Sequence, residues 1–276
     1  MKKVLSLLLA AAMCTSVLAG CGNSAGDTAD TSSDNGAEST AAAFKIGGTG
    51  PLTGNTAIYG NAVKNGAQIA VDEINAEGGA IQFELKMEDD ENDAEKAVSA
   101  YNALKDWGVQ LSLGSVTTKP CEATATENFA DRIFALTPSA SSTAVTEGKD
   151  NVFQMCFTDP GQGTASADYI AENQLGTKIA IIYQNDTPYS SGIYEKFKTE
   201  ADAKGLNIVS TTTFTAASAT DFSVQLGEAK AAGADLLFLP IYYQEASLIL
   251  QQAKNMDYAP KFFGVDGMDG ILTLEG

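Results

Sequence analysis

Three stretches of the sequence gather side chains able to bind or react. Asp89, Asp90, Glu91 and Asp93 crowd four carboxylates together, which would suit a carboxylate pair or a calcium loop. The run lacks the Gly at its sixth position and the Glu at its twelfth that an EF-hand requires, and acids suit the positive end of a helix dipole. A solvated helix cap is the expectation. The second stretch is a pair of loops, Gly114-Ser115-Val116-Thr117-Thr118-Lys119-Pro120 and Thr137-Pro138-Ser139-Ala140-Ser141-Ser142. Each sets hydroxyls and backbone N–H groups beside a helix start, where a carboxylate could be held without a cationic side chain. Ordinary N-capping would use the same hydroxyls. The third is scattered: Tyr189 opens a helix, Tyr242 follows a strand and Asp266 precedes Gly267. Asp266 could pair with a ligand cation and Tyr242 could supply an aromatic face or a hydroxyl, although a turn residue and a half-buried aromatic are equally served by those positions.

What is missing narrows the chemistry. The 276 residues contain no histidine, so a Ser-His-Asp or Cys-His centre, a histidine proton shuttle and a His-containing zinc site are excluded. No GxSxG elbow follows any of the strands and no SxxK motif occurs, which removes the common serine hydrolase signatures. The glycine-rich stretch Gly48–Gly60 has no GxGxxG at a strand-helix turn, no GxxxxGK[ST] and no lysine, so it suits the wall of a small-ligand cleft, with Tyr59 at the helix mouth, better than a phosphate cradle. With 35 acidic against 17 basic residues the formal charge is −18 and the pI near 4.2. Such a surface repels phosphate backbones, so no nucleic-acid partner is expected. No metal or other cofactor is expected either.

The elements that must carry these residues follow from periodicity. Short β-type runs at 44–48, 81–87, 109–113, 133–136, 152–157, 178–183, 206–214, 235–239 and 261–265 alternate with helical patterns at 59–77, 94–107, 121–131, 143–147, 162–174, 190–204, 221–232 and 244–256. Strands separated by helices read as βαβ units in a parallel, doubly wound α/β fold. Nine strands in one sheet would be many, so two sheets are predicted, changing near Asp159-Pro160-Gly161. In such sheets ligands bind beyond the carboxyl ends of the strands, where all the loops singled out above lie.

The first twenty residues, MKKVLSLLLAAAMCTSVLAG, have a basic start and an apolar run from Val4 to Met13. The run is too short to span a bilayer and reads as an export signal. Leu18-Ala19-Gly20-Cys21 resembles a lipobox, with Cys21 lipidated as the mature N-terminus; a plain secretory peptide cleaved near Ala19 or Gly20 is the alternative. Residues 22–43 hold four acids, no base and no large apolar side chain, so they read as a disordered tether reaching roughly 25 Å. With Cys14 leaving in the signal, Cys121 and Cys156 remain, and two separate thiols are expected rather than a disulfide framework.

Taken in order, LAGC, FKIGGTGPLTGNTAIYGNAVKNGAQIAVDEINAEGG, MEDDENDAEKAVSAYNAL, LGSVTTKP, FALTPSASS, IAIIYQNDTPYSSGIYEKFK and LLFLPIYYQEASLILQQAKNM closely resemble the branched-chain amino acid (Leu/Ile/Val) substrate-binding lipoproteins of ABC transporters. The resemblance implies a type I periplasmic binding protein: two Rossmann-like parallel-sheet lobes joined by a hinge, residues 44–157 in the first and 158–265 in the second, with 266–276 starting a return crossover. It implies an extracytoplasmic monomer, not an enzyme, tethered to the outer face of the membrane by its N-terminal lipid. It would hold an amino acid between the lobes and deliver it to an ABC permease of the branched-chain class. By matching segments, Tyr59, Thr117, Thr118, Ser139, Ala140 and Ser141 would line the first-lobe wall, with Tyr189 and Tyr242 closing from the second and Asp266 facing the α-ammonium. Asp266 stands where the family places an acidic residue, and amides, urea or another small polar ligand on the same fold are the alternative. Relatives continue for roughly another hundred residues past this point, so the first lobe is expected to be incomplete and to expose apolar edges.

Overall fold

The computed structural model describes residues 43–274. The predicted signal peptide, the lipidation site at Cys21 and all but the last residue of the tether lie outside the described residues. Among those described, no helix is long and apolar enough to cross a membrane.

Nine parallel strands fall into two sheets. The first contains β1 (Phe44–Gly50), β2 (Phe83–Asp89), β3 (Leu111–Ser115), β4 (Phe134–Thr137) and β5 (Val152–Gln154) in the order β2-β1-β3-β4-β5. The second contains β6 (Ile179–Gln184), β7 (Ile208–Phe214), β8 (Leu236–Leu239) and β9 (Lys261–Gly264) in the order β7-β6-β8-β9. Strand order reverses between β1 and β3 in one sheet and between β6 and β8 in the other. Those reversals open the crevices in which ligands of such folds bind. Connecting the strands are α1 (Ala57–Ala76), α2 (Ala94–Trp107), α3 (Thr118–Asp131), α4 (Asp159–Glu172), α5 (Pro188–Lys204), α6 (Ser223–Ala231) and α7 (Tyr243–Asn255).

Local signals in the sequence account for the helix ends. Asp93 caps α2 by accepting from the amides of Glu95 and Lys96, and Gly108 ends it at φ 90°. Thr187 caps α5 by accepting from Ser190 N, with Pro188 at the first helical position, and Gly205 ends it at φ 72°. These are the residue types that satisfy orphan helix amides and tolerate the left-handed turn.

The second lobe has the stronger core. Along β6, Ile179 and Ile181 point to one face and Ala180 and Ile182 to the other, all at most 1% exposed. The first pair packs with Leu236 and Phe238 against Ile170, Ile193 and Phe197 of α4 and α5. Ala180 and Ile182 pack with Leu237 and Leu239 against Leu226, Ile249 and Ala253 of α6 and α7. Alternation by two thus feeds helices on both faces, as a doubly wound sheet requires.

The first lobe is covered well on one face only. Leu104 of α2 is buried, and Cys121 and Ala125 of α3 pack against Ala135 and Val152. On the opposite face α1 leaves Ile69 and Ile74 in solvent, and Phe134 and Phe153, stacked 5.4 Å apart, are nearly half exposed. The exposed apolar surface expected on this lobe is therefore present.

Helix α4 begins at Asp159, three residues before the predicted start and next to its Thr158 cap, and three further element assignments need correction. The segment 143–147 is a single 3-10 turn, Thr143–Val145, because Gly148 takes φ 71° immediately after it and leaves no room for another turn. Strand β5 stops at Gln154 rather than 157. Helix α3 begins at Thr118, three residues before the predicted start, with Pro120 in its first turn where its missing N–H is harmless.

Candidate functional site

The two sheets face one another across a cleft of about 280 Å³, and its walls are the loops leaving the carboxyl ends of β1, β3, β4, β6, β8 and β9. Tyr59, Thr117, Thr118, Ser139, Ser141, Tyr189, Tyr242 and Asp266 all line it. Ala140 does not: its side chain is in the first-lobe core, its N–H donates to Thr137 Oγ1 and its carbonyl accepts from Gln154. Val116, Gly267 and Asp269 also line the cleft, and sequence reasoning missed them. The repeated Asp-Gly of 266–270 was the available signal for Gly267 and Asp269; nothing distinguished Val116 from a core valine.

Local packing brings Tyr59 to the mouth. Asp89, at the end of β2, accepts from the Leu52 amide at 2.9 Å and the Thr53 hydroxyl at 2.6 Å, pinning the β1–α1 loop. Gly60 lets that loop pass over α1, since a Cβ there would stand 2.1 Å from the Pro51 carbonyl oxygen. Gly60→Ala is expected to destabilise the chain by about 1–3 kcal/mol through this overpacking, read as a lower midpoint in urea unfolding; an unchanged midpoint would show that the loop is free to move.

The acidic run divides in a way the sequence did not reveal. Asp93 is the helix cap that was expected. Asp90 is not solvated: it is fully buried, accepts from Thr49 Oγ1 and the Asn92 amide, and burial pushes its carboxyl up to about 6. Through Thr49, Ser115 and Thr124 it joins a chain of buried hydroxyls that ties the ends of β1, β2 and β3 below the cleft.

The hydroxyl loops are likewise split between structure and availability. Thr118 Oγ1 accepts from the Ser141 amide at 3.1 Å, locking the β3 and β4 loops together, and Thr137 Oγ1 donates to the Ser115 carbonyl at 2.8 Å. Thr117 occupies the N-cap position of α3 but makes no capping bond, and its buried Oγ1 has no partner. Such a group is rare enough in folded proteins to call for a partner. It lies on the cleft wall at the positive end of α3, where a ligand carboxylate would satisfy it.

On the opposite wall Tyr189, Gly267 and Asp266 form one hydrogen-bonded unit on which Tyr242 stacks. Tyr189 and Tyr242 stack at 4.6 Å, with Tyr59 a further 5.5 Å from Tyr242. Tyr189 Oη donates to Asp266 Oδ1 at 2.5 Å and accepts from the Gly267 amide at 3.0 Å, while the Asp266 amide donates to Gln162 Oε1 at 3.2 Å. Tyr59 Oη reaches across from the first lobe to the Gly267 carbonyl at 2.6 Å. Burial, reinforced by the Asp266 charge, raises the Tyr189 hydroxyl far above its ordinary range, so it remains a donor. Gly267 cannot carry a side chain, because a Cβ would lie 2.6 Å from Tyr189 Oη and 2.7 Å from the Ile241 carbonyl oxygen.

No lysine or arginine lines the cleft. Donors on the first lobe therefore face carboxylates on the second, an arrangement that matches a small zwitterion. A larger cavity of about 560 Å³ on the far side of Asp266 is lined by Phe157, Tyr169, Phe263 and their neighbours. Its lining is mostly apolar, with Gln162, Ser166 and Asp266 as its polar side chains. The remaining thiols are both free, Cys121 buried and Cys156 half-buried against the carbonyls of Ser139 and Ala140.

Comparison with known proteins agrees with this architecture. A family model described as periplasmic binding protein matches residues 43–274, and the chain belongs to that family. It is 30% identical over 226 residues to a Leu/Ile/Val-binding protein homologue of Brucella melitensis, covering 81% of this chain and 61% of the relative. A leucine-, isoleucine-, valine-, threonine- and alanine-binding protein of Pseudomonas aeruginosa is 29% identical, covering 82% and 61%. Among solved structures, a branched-chain amino acid transporter substrate-binding protein, LivJ, of Streptococcus pneumoniae in complex with isoleucine superposes with TM-score 0.75 at 31% identity, covering 80% of this chain and 64% of that one. A leucine-binding protein, LivK, of Thermotoga maritima gives TM-score 0.76 at 26% identity, with 82% and 64% covered. The fold is thus that of type I periplasmic binding proteins, and the chain spans about three fifths of the length of the curated relatives it matches.

Proposed function

We infer that this chain is the ligand-capturing part of an extracytoplasmic solute-binding protein, not an enzyme, and that it takes an α-amino acid of the branched-chain type into the cleft between its lobes. The observation that carries this reading is the polarity of the cleft. Asp266 and Asp269 stand on one wall, and the Thr117, Thr118 and Ser141 hydroxyls with the start of α3 stand on the other. An α-ammonium would meet Asp266 and an α-carboxylate the hydroxyl wall. Val116 and the faces of Tyr59 and Tyr242 would enclose an aliphatic side chain. Contacts to both lobes at once are made only when the cleft is closed, so ligand would shift the hinge toward closure. The N-terminal sequence supports anchoring through a lipid on Cys21 and delivery to an ABC importer at the same membrane; the similarity to Leu/Ile/Val-binding proteins supports the branched-chain choice.

Isothermal titration with leucine, isoleucine and valine, and separately with acetamide and urea, tests the ligand class. Saturable heat from the amino acids is expected. Heat from an amide with none from any α-amino acid would overturn the reading.

A further inference from the structure

One buried charge at the junction of the lobes is unused by this account. Asp159, the first residue of α4, is 1% exposed, and neither of its carboxylate oxygens has a hydrogen-bond partner. It sits between lobes: its amide donates to the Ser141 carbonyl of the first lobe at 2.9 Å, while its side chain lies against Gly192 of α5, where an added Cβ would come within 3.4 Å of its own. The cavity beside it, about 350 Å³, is shared by Ser142 and Thr143 from the first lobe and Pro188, Gly192, Glu195 and Lys196 from the second. Separating the lobes would therefore bring water to this carboxylate. Bringing them together strips water away and leaves only the Ser141 hydroxyl of the first lobe to offset the loss, without a hydrogen bond to either carboxylate oxygen, an arrangement that disfavours the ionised form.

We propose that Asp159 makes closure of the lobes proton-linked, so that the closed form takes up a proton on this carboxyl. The groups around it point the same way. Asp266 of the loop after β9 and Glu122 of α3 act on it through their charges, and it acts in turn on the Cys156 thiol and the Tyr242 hydroxyl. Of the two charged side chains that α5 turns toward the shared cavity, Glu195 has the same sign as Asp159. Lys196 is the single cation lining that cavity, and it makes no ion pair with Asp159. Burial first, then the charges of Asp266 and Glu122, lift the carboxyl to about 7, against a lowering contribution from the Ser141 side chain. The sign follows: a group whose pKa is raised in the closed form favours closure below that value, and the advantage is lost as pH rises through about 7. This linkage concerns the hinge and goes beyond the identity of the ligand.

The test is titration of leucine into wild type and D159N at pH 6 and pH 8, together with small-angle X-ray scattering of both proteins at the two pH values without added amino acid. Wild type is expected to bind about tenfold more tightly at pH 6 than at pH 8, and D159N equally at both. Without ligand, the wild-type radius of gyration relative to D159N is expected to be smaller at pH 6 than at pH 8. A wild-type protein in two buffers of different ionisation enthalpy is expected to take up about half a proton per leucine at pH 7, which needs no variant. Identical pH dependence in wild type and D159N, or no proton uptake by wild type, would overturn the proposal. Absence of leucine heat at both pH values would remove the proposed ligand, and the scattering would then decide the proton linkage alone, a radius of gyration with the same pH dependence in wild type and D159N overturning it.

Discussion

Asp266→Ala is expected to weaken amino acid binding by about 2–5 kcal/mol, at least some thirty-fold in Kd, the loss that accompanies removal of one partner from an enclosed, hydrogen-bonded charge pair. The carboxylate is held rigidly. Gln162 fixes its backbone, Tyr189 fixes Oδ1, and Gly267 fixes Tyr189 in turn, so Oδ2 is presented on a rigid support. Asp266→Asn separates charge from shape: it can still accept from Tyr189 and should lose most of the same affinity. Isothermal titration of leucine into the three proteins reads both effects. Affinity unchanged in Asp266→Ala would remove this residue from the site.

The largest expected effect on stability lies in the support of Tyr189. Phe197→Ala should cost about 3–5 kcal/mol, because Phe197 is fully buried and stacks on Phe238 with ring centroids 3.9 Å apart. Its neighbourhood cannot easily collapse. Helices α4 and α5 already meet at Gly163, where a Cβ would stand 2.5 Å from the Ile193 carbonyl oxygen and 2.7 Å from Phe197 N, so the void would remain. Urea unfolding should show a lower midpoint with little change in slope. Val224→Ala, at a side chain 68% exposed, should stay within about 0.5 kcal/mol of wild type. A loss below about 1 kcal/mol for Phe197→Ala would contradict the packing described for this lobe.

The fold was largely legible because its signals are local and repeated. The alternation in Ile179–Ile182 and Leu236–Leu239, the caps at Asp93 and Thr187 and the glycines at 108 and 205 each state an element's type or end. What was not legible depends on residues far apart in the chain. Asp90 reads as one of four surface acids, and only Thr49 and the β1–β2 pairing bury it. Thr117 and Thr118 are adjacent hydroxyls of similar capping power, yet Thr118 is taken by Ser141 while Thr117 is left without a partner. Ala140 sits among cleft residues in sequence but turns inward, because Thr137 and Gln154 use its backbone. The candidate site was legible as a set of strand-end loops, since topology brings those together. Which side chain in each loop faces the cleft was settled by tertiary contacts.

The central claim is that an amino acid is held between donors of the first lobe and the carboxylate of the second. A crystal structure of the protein grown with leucine tests it most directly. The account predicts leucine in the cleft, its ammonium within hydrogen-bonding distance of Asp266 and its carboxylate at the Thr117, Thr118 and Ser141 hydroxyls. Leucine in the apolar cavity between Phe157 and Phe263, or in the cleft with its two ends reversed, would contradict it.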